Sequence, residues 1–353
     1  MAKQPLVNIV VLTTNQFAFI EKCLISVFSS NYKNITVYLV DNNSNKEEYF
    51  NFYNKFKTNK KIHFYRRKNA LGFGNACNFG IRKIKRGYIV LLNDDMLVTK
   101  NWLDSIIEYM EKNPDVGVCQ PKIKSMRERD RFEYAGGAGG FIDIYGYPFC
   151  RGRIFYTLEK DRGQYNDIRN IAWASGNCLV TKVEVLRKVG LLDDLFFIIG
   201  DEVDLCWRMH FHGLRIVYIP SSTVFHYGSG TIGENAIKVF YRHRNSLILL
   251  LKNYSNRELL RYLPFRIMLD FIAFWYYLLD NKLPSHAISV LNAYISLFKL
   301  LPKIAARRKK AAFKNAENAN LLEYPIYKKS IIVEYFINHK KKFSQLKTNN
   351  FKF

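Results

Sequence analysis

The first 112 residues alternate between short apolar runs and stretches in which apolar residues recur at helical spacing. The apolar runs lie at 6–12, 35–40, 62–65 and 88–92, and the helical stretches at 17–30, about 46–57, 75–84 and 101–112. Short apolar runs bounded by polar loops are typical of buried strands. The resulting order, four strands each followed by a helix, predicts an α/β fold with a mainly parallel central sheet flanked by helices.

The fourth apolar run stops abruptly at three polar residues, Asn93, Asp94 and Asp95. Ligands of open α/β sheets bind at the carboxyl ends of the strands. Two adjacent carboxylates at that position are suited to holding a hard divalent cation against phosphate oxygens. Asn and Asp are also favoured turn residues, so a polar turn without a ligand is the alternative.

The composition limits the class of protein and its partners. A chain of 353 residues is long enough for one large α/β domain and an appendage. Its formal charge of +24 implies an anionic partner, such as nucleic acid, anionic lipid or a phosphorylated substrate. None of its six cysteines forms a CxxC pair, and no signal peptide is evident, so we expect reduced thiols and a cytoplasmic location.

A second polar cluster follows a less regular middle region. The glycine-rich run 136–140 lacks the spacing of a phosphate loop and predicts a loop leading into a hairpin. A strand at 173–180 and a short helix at 182–189 come next. The apolar run 196–199 then breaks at Asp201, Glu202 and Asp204, which begin a helix that ends near Gly213. Three acidic residues in a first helical turn also simply complement the helix dipole.

The chain after about residue 236 has a different character, with apolar and basic stretches of helical spacing at 238–253, 262–279 and 288–304. A spanning helix needs about 20 uninterrupted apolar residues, and Pro264, Arg266 and Asp270 interrupt the most apolar stretch. A helix in the membrane interface, or one packed on the catalytic domain, fits better. Basic runs at 307–310 and 340–342 favour anionic lipid, with a solvated charged tail as the alternative. We therefore predict two domains, 1–235 and a helical, basic region at 236–353.

The order of these motifs resembles the family 2 glycosyltransferases of the GT-A fold, and in particular the bacterial branch that includes rhamnosyltransferases. The resemblance extends from residue 6 to about residue 250. It is carried by motifs at 13–15, 40–44, 69–75, 92–95, 175–176 and 200–208, followed by Gly213, a strand closed by Pro220, and His226. The resemblance implies a GT-A catalytic domain, to which the C-terminal helices would add a membrane-associating extension.

The resemblance also implies roles for individual residues. The nucleotide-sugar donor would be bound by Thr13, Asn15, Asp41, Asn69, Gly72 and Asp94. The family's metal triplet falls on 93–95, so Mg²⁺ or Mn²⁺ would be held by Asp95, with Asn93 and His226 as further ligands. A strict triplet would have Asp where this chain has Asn93, which leaves fewer anionic ligands. Imidazole would favour Mn²⁺ over Mg²⁺, although His226 also fits a buried structural histidine.

The family's general base comes from the acidic pair that here reads Asp201-Glu202, in reverse of the usual order. Glu202 takes the base position, Asp201 is the alternative, and Asp204 supports the site through an ion pair with Arg208 four residues on. The implied reaction is inverting sugar transfer to a saccharide or polyprenyl-linked acceptor in cell-surface polysaccharide synthesis. It would occur at the inner face of the cell membrane.

Two other functions remain open on the sequence. A nucleotidyltransferase would share the sheet and the metal carboxylates. A basic protein that binds membrane or nucleic acid without catalysis would share the charge. Acidic residues at two strand ends and the apolar C-terminal helices argue against nucleic acid as a partner.

Overall fold

A computed structural model describes residues 4–228, 235–280, 284–310 and 325–351. The strands in this part of the chain are β1 (Val7–Thr13), β2 (Ile35–Asn42), β3 (Ile62–Arg67), β4 (Tyr88–Asn93), β5 (Met96–Val98), β6 (Val116–Ser125), β7 (Gly140–Asp143), β8 (Pro148–Cys150), β9 (Arg153–Ile154), β10 (Thr157–Leu158), β11 (Arg169–Asn170), β12 (Cys178–Lys182), β13 (Arg215–His226) and β14 (Ile326–Tyr327). The helices are α1 (Phe17–Phe28), α2 (Lys46–Phe56), α3 (Phe73–Ile81), α4 (Asp104–Lys112), α5 (Val183–Val189), α6 (Asp201–Phe211), α7 (Ala236–Asn253), α8 (Asn256–Leu279) and α9 (Pro284–Lys310).

The central sheet has the order β11-β13-β6-β12-β4-β1-β2-β3, and β5 pairs with β13 outside this path. Strands β4, β1, β2 and β3 are parallel, as the β-α alternation predicts. Beyond β4 the direction changes, because β12 runs antiparallel to both β4 and β6. The sheet is therefore mixed, and its parallel half carries the four strands that the sequence predicted.

Both faces of the sheet are covered, which explains why β1 and β4 are continuous apolar runs. Residues 88–92 of β4 are all buried. One apolar core joins the sheet to α1 and α4, and a second core on the other side joins it to α3, α5, α6 and α7. The carboxyl ends of β1, β2 and β4 thereby open onto one edge, where the register pairs Thr13 with Asp41 and Leu12 with Asn93.

Strand β13 does not end at Pro220, contrary to the sequence prediction. A register shift against β6 between Ile219 and Thr223 absorbs the proline, and pairing then resumes through His226. This is physically reasonable, because a β-bulge removes the need for a ladder hydrogen bond at the proline. The continuation pairs His226 with Met96 of β5, so the histidine arrives beside the acidic end of β4.

The second sheet has the order β10-β9-β8-β7-β14. The predicted hairpin after the glycine-rich run is formed by β7 and β8. Gly140 begins it and has no room for a side chain, since a Cβ there would lie 2.2 Å from the Trp173 ring. Strand β14 pairs with β7, and Phe343 and Phe351 pack on Phe141.

The C-terminal region is consequently not helical throughout. Within the region predicted to be helical, 236–353, the structure has α7, α8 and α9, and then β14, which joins the small sheet and is followed by short helical turns. Residues 281–283, 311–324 and 352–353 of that prediction lie outside the described part. Residues 247–250 of α7 are buried in the core that also joins α3, α5 and α6 to the central sheet. A domain boundary near residue 235 stays a prediction.

Helices α8 and α9 present a broad apolar surface. Each is long and apolar enough to cross a membrane by length and composition alone, which differs from the expectation for 262–279. The large apolar side chains that are more than half exposed there are Leu260, Phe271, Ile272, Tyr276, Leu279, Ile288, Leu291, Ile295 and Phe298. We refer to these nine residues as the apolar hairpin face.

The interrupting charges of α8 point the other way, into the protein. Arg266 and Asp270 are both buried and form an ion pair of 3.0 Å between Nε and Oδ2. Asp270 also accepts hydrogen bonds from Tyr147 (2.9 Å) and Tyr294 (2.8 Å), and lies 3.0 Å from Nδ1 of His243. The charges that argue against a spanning helix thus attach α8 to the β7–β8 hairpin, α7 and α9.

Candidate active site

The loops after β1 and β2 are tied to each other by Asn15 and Ser44. Asn15 has a left-handed backbone (φ 57°), its N–H donates to Ser44 Oγ (2.8 Å), and its side-chain oxygen accepts from Asn45 N–H (2.7 Å). Asp41 is fully buried, accepts from Ser44 N–H (3.1 Å) and pairs with Nε of Arg66 (3.2 Å). Burial raises the pKa of Asp41 despite these contacts. Asn15 and Asp41, two of the residues predicted to bind the nucleotide-sugar donor, are therefore held together in one corner at this edge of the sheet.

The turn at 69–73 is held between β2 and the segment that precedes α6. Asn42 fixes it by a reciprocal pair of hydrogen bonds with the backbone of Leu71, at 2.9 and 2.8 Å. Phe73 N–H donates to Phe197 O (2.8 Å), and a Cβ on Gly72 would lie 2.4 Å from the same oxygen. Gly72 therefore allows close contact with the backbone of residue 197, while Asn69 is exposed.

Asp94, Asp95 and His226 form the acidic end of β4. The hydroxyl of Thr13, at the end of β1, opposes the rise in the pKa of Asp94, and Asp95 is 2.9 Å from Nε2 of His226. Burial, together with the charge of Asp95, raises the pKa of Asp94 to about 7. Burial alone would lower the pKa of His226, but hydrogen bonds to Asp95 and Glu133 outweigh it and raise that pKa to about 10. At this strand end a protonated His226 therefore lies between two carboxylates, Asp95 and Glu133.

Asp95 and His226 would hold a divalent cation only in place of their present contact, in which Asp95 Oδ1 lies 2.9 Å from Nε2 of His226. The cation would also replace the proton on that nitrogen, and Glu133, 2.9 Å from Nδ1, would orient the imidazole as carboxylates commonly do behind a metal-binding histidine. Among the described residues no group of three or more His, Cys, Asp and Glu side chains has ligand geometry. The remaining positions would fall to water and substrate phosphate, which is usual for Mg²⁺ sites.

Asn93 makes a different contact from the one predicted for a metal ligand. Its amide Nδ2 donates to Oδ1 of Asn177 (2.8 Å), and its backbone N–H donates to Asn177 O (3.0 Å). The turn at 175–177 therefore closes over the end of β4. On the other side of this turn, a Cβ added to Gly176 would lie 3.8 Å from Cβ of Glu202. This turn joins the strand-end carboxylates to the acidic start of α6.

The acidic pair at the start of α6 contains one buried and one accessible carboxylate. Asp201 is 1% exposed, whereas Glu202 is partly exposed and accepts from Gly200 N–H (3.1 Å). Burial and the neighbouring charge of Glu202 raise the pKa of Asp201 well above its ordinary value. Burial thus disfavours the charged form of Asp201, and Glu202 is the carboxylate that can reach a ligand.

Asp204, the third acidic residue, is committed to the fold. The predicted pair with Arg208 is present, with 2.9 Å between Nε and Oδ2. Lys252 of α7 pairs with the other oxygen of Asp204 at 2.7 Å and with Asp193 at 2.5 Å. Arg307 of α9 also reaches Asp193 (3.4 Å). Asp204 therefore anchors the C-terminal helices beside the site, and Arg307 in the first basic run serves the same attachment.

Two residues of the candidate site, Glu133 and Asn177, are not predicted from the sequence. Glu133 lies in an irregular segment without periodicity or a motif, so nothing in the sequence marks it. Asn177 directly follows the Ser175-Gly176 motif, and its position next to that motif was a usable signal. Both side chains contact residues that the sequence did single out, His226 and Asn93.

A mixed sheet with this strand order, and with acidic residues at the end of β4 and the start of α6, defines the class of GT-A glycosyltransferases. Residues 8–190 match the model of glycosyl transferase family 2, and the chain belongs to that family. Its structure is similar to that of the mannosyltransferase PcManGT from Pyrobaculum calidifontis, solved with GDP-Man and Mn²⁺. The TM-score is 0.51 at 16% identity, over 90% of this chain and 89% of that one. The likeness confirms the predicted fold.

Two curated relatives carry rhamnosyltransferase names. The dTDP-rhamnosyl transferase RfbF of Shigella flexneri is 25% identical over 241 residues, which is 63% of this chain and 73% of that protein. The N-acetylglucosaminyl-diphospho-decaprenol L-rhamnosyltransferase of Mycobacterium tuberculosis is 24% identical over 204 residues, which is 52% of this chain. The match spans 65% of the mycobacterial protein, so less than two thirds of its length is compared.

Proposed function

We propose that this protein is an inverting glycosyltransferase that moves a sugar from a nucleoside-diphosphate donor to an acceptor hydroxyl. The observation that carries the proposal is that carboxylates lie on both sides of the 175–177 turn. Asp94 and Asp95 lie on one side of it, and the accessible Glu202 lies on the other. A donor diphosphate at the strand end would place its sugar toward Glu202.

In this mechanism Glu202 accepts the proton of the acceptor hydroxyl as that oxygen bonds to the anomeric carbon of the sugar. The bond from that carbon to the diphosphate breaks on the opposite side, and the bonding electrons leave with the diphosphate oxygen. Mg²⁺ or Mn²⁺, held by Asp95 and His226, would neutralise charge on the departing nucleoside diphosphate. Thr13 and the corner formed by Asn15 and Asp41 would hold the nucleoside. The Mn²⁺ in the mannosyltransferase structure supports this choice of cation.

The donor sugar that we favour is rhamnose or another hexose, on the strength of the two relatives' names. A screen of nucleotide sugars with purified protein tests the proposal. We expect one donor to release its nucleoside diphosphate in a Mn²⁺- or Mg²⁺-dependent way. Release of pyrophosphate would instead identify a nucleotidyltransferase. No hydrolysis of any donor, combined with a salt-sensitive shift of random DNA, would favour a nucleic-acid-binding protein.

The acceptor that we favour is a saccharide on a polyprenyl carrier at the cytoplasmic membrane surface. The decaprenol acceptor named for the mycobacterial relative supports this choice. So does the apolar hairpin face, because it gathers exposed aliphatic and aromatic side chains on two adjacent helices, and such patches mark interaction surfaces. The basic runs contribute less than the sequence suggests, because Lys340 pairs with Glu334 and Arg308 donates to backbone carbonyls.

The double variant Phe271→Glu/Phe298→Glu tests the membrane contact. Burying a Phe side chain contributes about 1.5–3 kcal/mol, so two charges there are expected to weaken binding to phosphatidylglycerol vesicles at least about 100-fold. Sedimentation with vesicles measures it. The matched control is Ile25→Glu/Ile168→Glu, which places the same charge on exposed apolar residues elsewhere (55% and 53% exposed). Equal sedimentation of both variants and the native chain would contradict a contact through α8 and α9.

Point substitutions are preferable to removing the chain from about residue 255. Such a deletion would also remove β14, together with Phe343 and Phe351, which complete the small sheet and its core. Loss of vesicle binding by a truncated chain could then reflect a damaged fold.

A further inference from the structure

The segment that leads into α6 has an unusual backbone. Ile199 has φ 66° and Gly200 has φ 98°, so two consecutive residues are left-handed. Glycine adopts this conformation freely, but a β-branched residue rarely does, because its side chain crowds the backbone. Such a conformation persists only where surrounding contacts impose it. The segment therefore needs an external support to keep its shape.

That support comes from Asn245 on α7. Its amide nitrogen donates to the carbonyl of Ile198 (2.7 Å) and to the carbonyl of Ile199 (2.6 Å), so both hydrogens of one NH₂ group hold consecutive peptide units. Its side-chain oxygen accepts from Nε of Arg244 (2.8 Å). Asn245 is 1% exposed. Every hydrogen-bonding group of this amide is thus used, and two of its three bonds go to the strained segment.

The same segment fixes the position of Glu202. Gly200 N–H donates to the Glu202 carboxylate (3.1 Å), and Gly200 O accepts from Asp204 N–H (2.9 Å) in the first turn of α6. The carbonyl of Phe197 accepts from Phe73 N–H, which ties the segment to the turn at 69–73. If Ile199 relaxed to an ordinary backbone angle, the peptide that carries Gly200 N–H would turn and Glu202 would lose this contact.

We propose that Asn245 is a positioning residue, which holds residues 197–200 in the conformation that presents Glu202 to the acceptor. The inference rests on the proposed function, since it assumes that Glu202 is the base. No other side-chain type of this size supplies two donors from one atom. Aspartate, of the same shape, would direct a carboxylate oxygen at two carbonyl oxygens.

The variant Asn245→Asp tests the proposal, with Ser246→Ala as the matched control. Ser246 is the next residue of α7 and is also buried, and its hydroxyl hydrogen-bonds Arg242 O and Arg266. We expect Asn245→Asp to lower kcat about 10- to 100-fold while KM for the donor stays within about twofold. Ser246→Ala is expected to keep kcat within about threefold, since its bonds lie away from the strained segment.

Hydrogen–deuterium exchange provides a readout that does not depend on activity. Peptides that cover 196–204 and the amide of Phe73 are expected to exchange at least about tenfold faster in Asn245→Asp than in the native chain or in Ser246→Ala. Native kcat and native exchange in Asn245→Asp would overturn the proposal, as would equal acceleration in Ser246→Ala. If Glu202→Gln keeps full turnover, the assignment of the base fails, and the exchange data still decide whether Asn245 holds the segment.

Discussion

Replacing Glu202 by glutamine is expected to lower kcat by about 10²- to 10⁴-fold, the usual contribution of a general base. Glutamine keeps the size of the side chain and can still accept from Gly200 N–H, so the start of α6 should be preserved. What it removes is the ability to take a proton from the acceptor hydroxyl. Initial rates of nucleoside diphosphate release with saturating donor and acceptor measure the loss.

Asp201→Asn is the matched control for this variant. Asp201 is buried beside Gly74, and burial raises its pKa, so a neutral amide of the same shape is expected to change little. We expect it to keep kcat within about tenfold, with the loss arising from altered packing. If Asp201→Asn abolishes turnover and Glu202→Gln does not, the roles of the two carboxylates are reversed.

The second large effect is expected for Asp95→Asn, which should lower transfer by about 10³-fold because a bound cation contributes several kcal/mol of charge stabilisation. The variant should also weaken Mn²⁺ binding in the presence of nucleoside diphosphate. Electron paramagnetic resonance of free Mn²⁺ measures that binding without any sugar transfer. Glu108→Gln on the exposed face of α4 removes a carboxylate of similar charge far from the strand ends and serves as the control.

Glu133→Gln tests whether Glu133 supports the cation site through His226, in contrast to Asp95, which would bind the cation itself. Glu133 lies 2.9 Å from Nδ1 of His226, so its loss should weaken Mn²⁺ binding about 10- to 100-fold, which is less than the loss of Asp95. Native Mn²⁺ affinity in Asp95→Asn would show that the cation, if bound, uses other residues.

Much of the fold follows from the sequence because the first 112 residues obey local rules of strand and helix formation. The alternation of apolar runs and helical spacing located β1 to β4 and the helices between them, and the polar residues after each run marked the edge where the candidate site lies. The antiparallel insertion of β12 was not predictable in this way. Strand direction depends on which strands pair, and the apolar run at 178–182 looks the same in either direction.

The candidate site was predictable residue by residue only where a motif marked it. His226 was singled out, but its contact with Asp95 depends on a bulge that carries β13 past Pro220. The choice between Asp201 and Glu202 depends on burial, which adjacent residues at the start of a helix do not reveal. Asn245 had no signal, because its role arises from a backbone conformation at Ile199 that only the folded chain shows.

We expect the sugar to move in one displacement, with Glu202 as the base and no covalent intermediate. The most direct measurement is the anomeric configuration of the product, determined by ¹H NMR after reaction with the donor that the screen identifies. The account predicts a product whose anomeric configuration is opposite to that of the donor. A product with the donor's own configuration would contradict it.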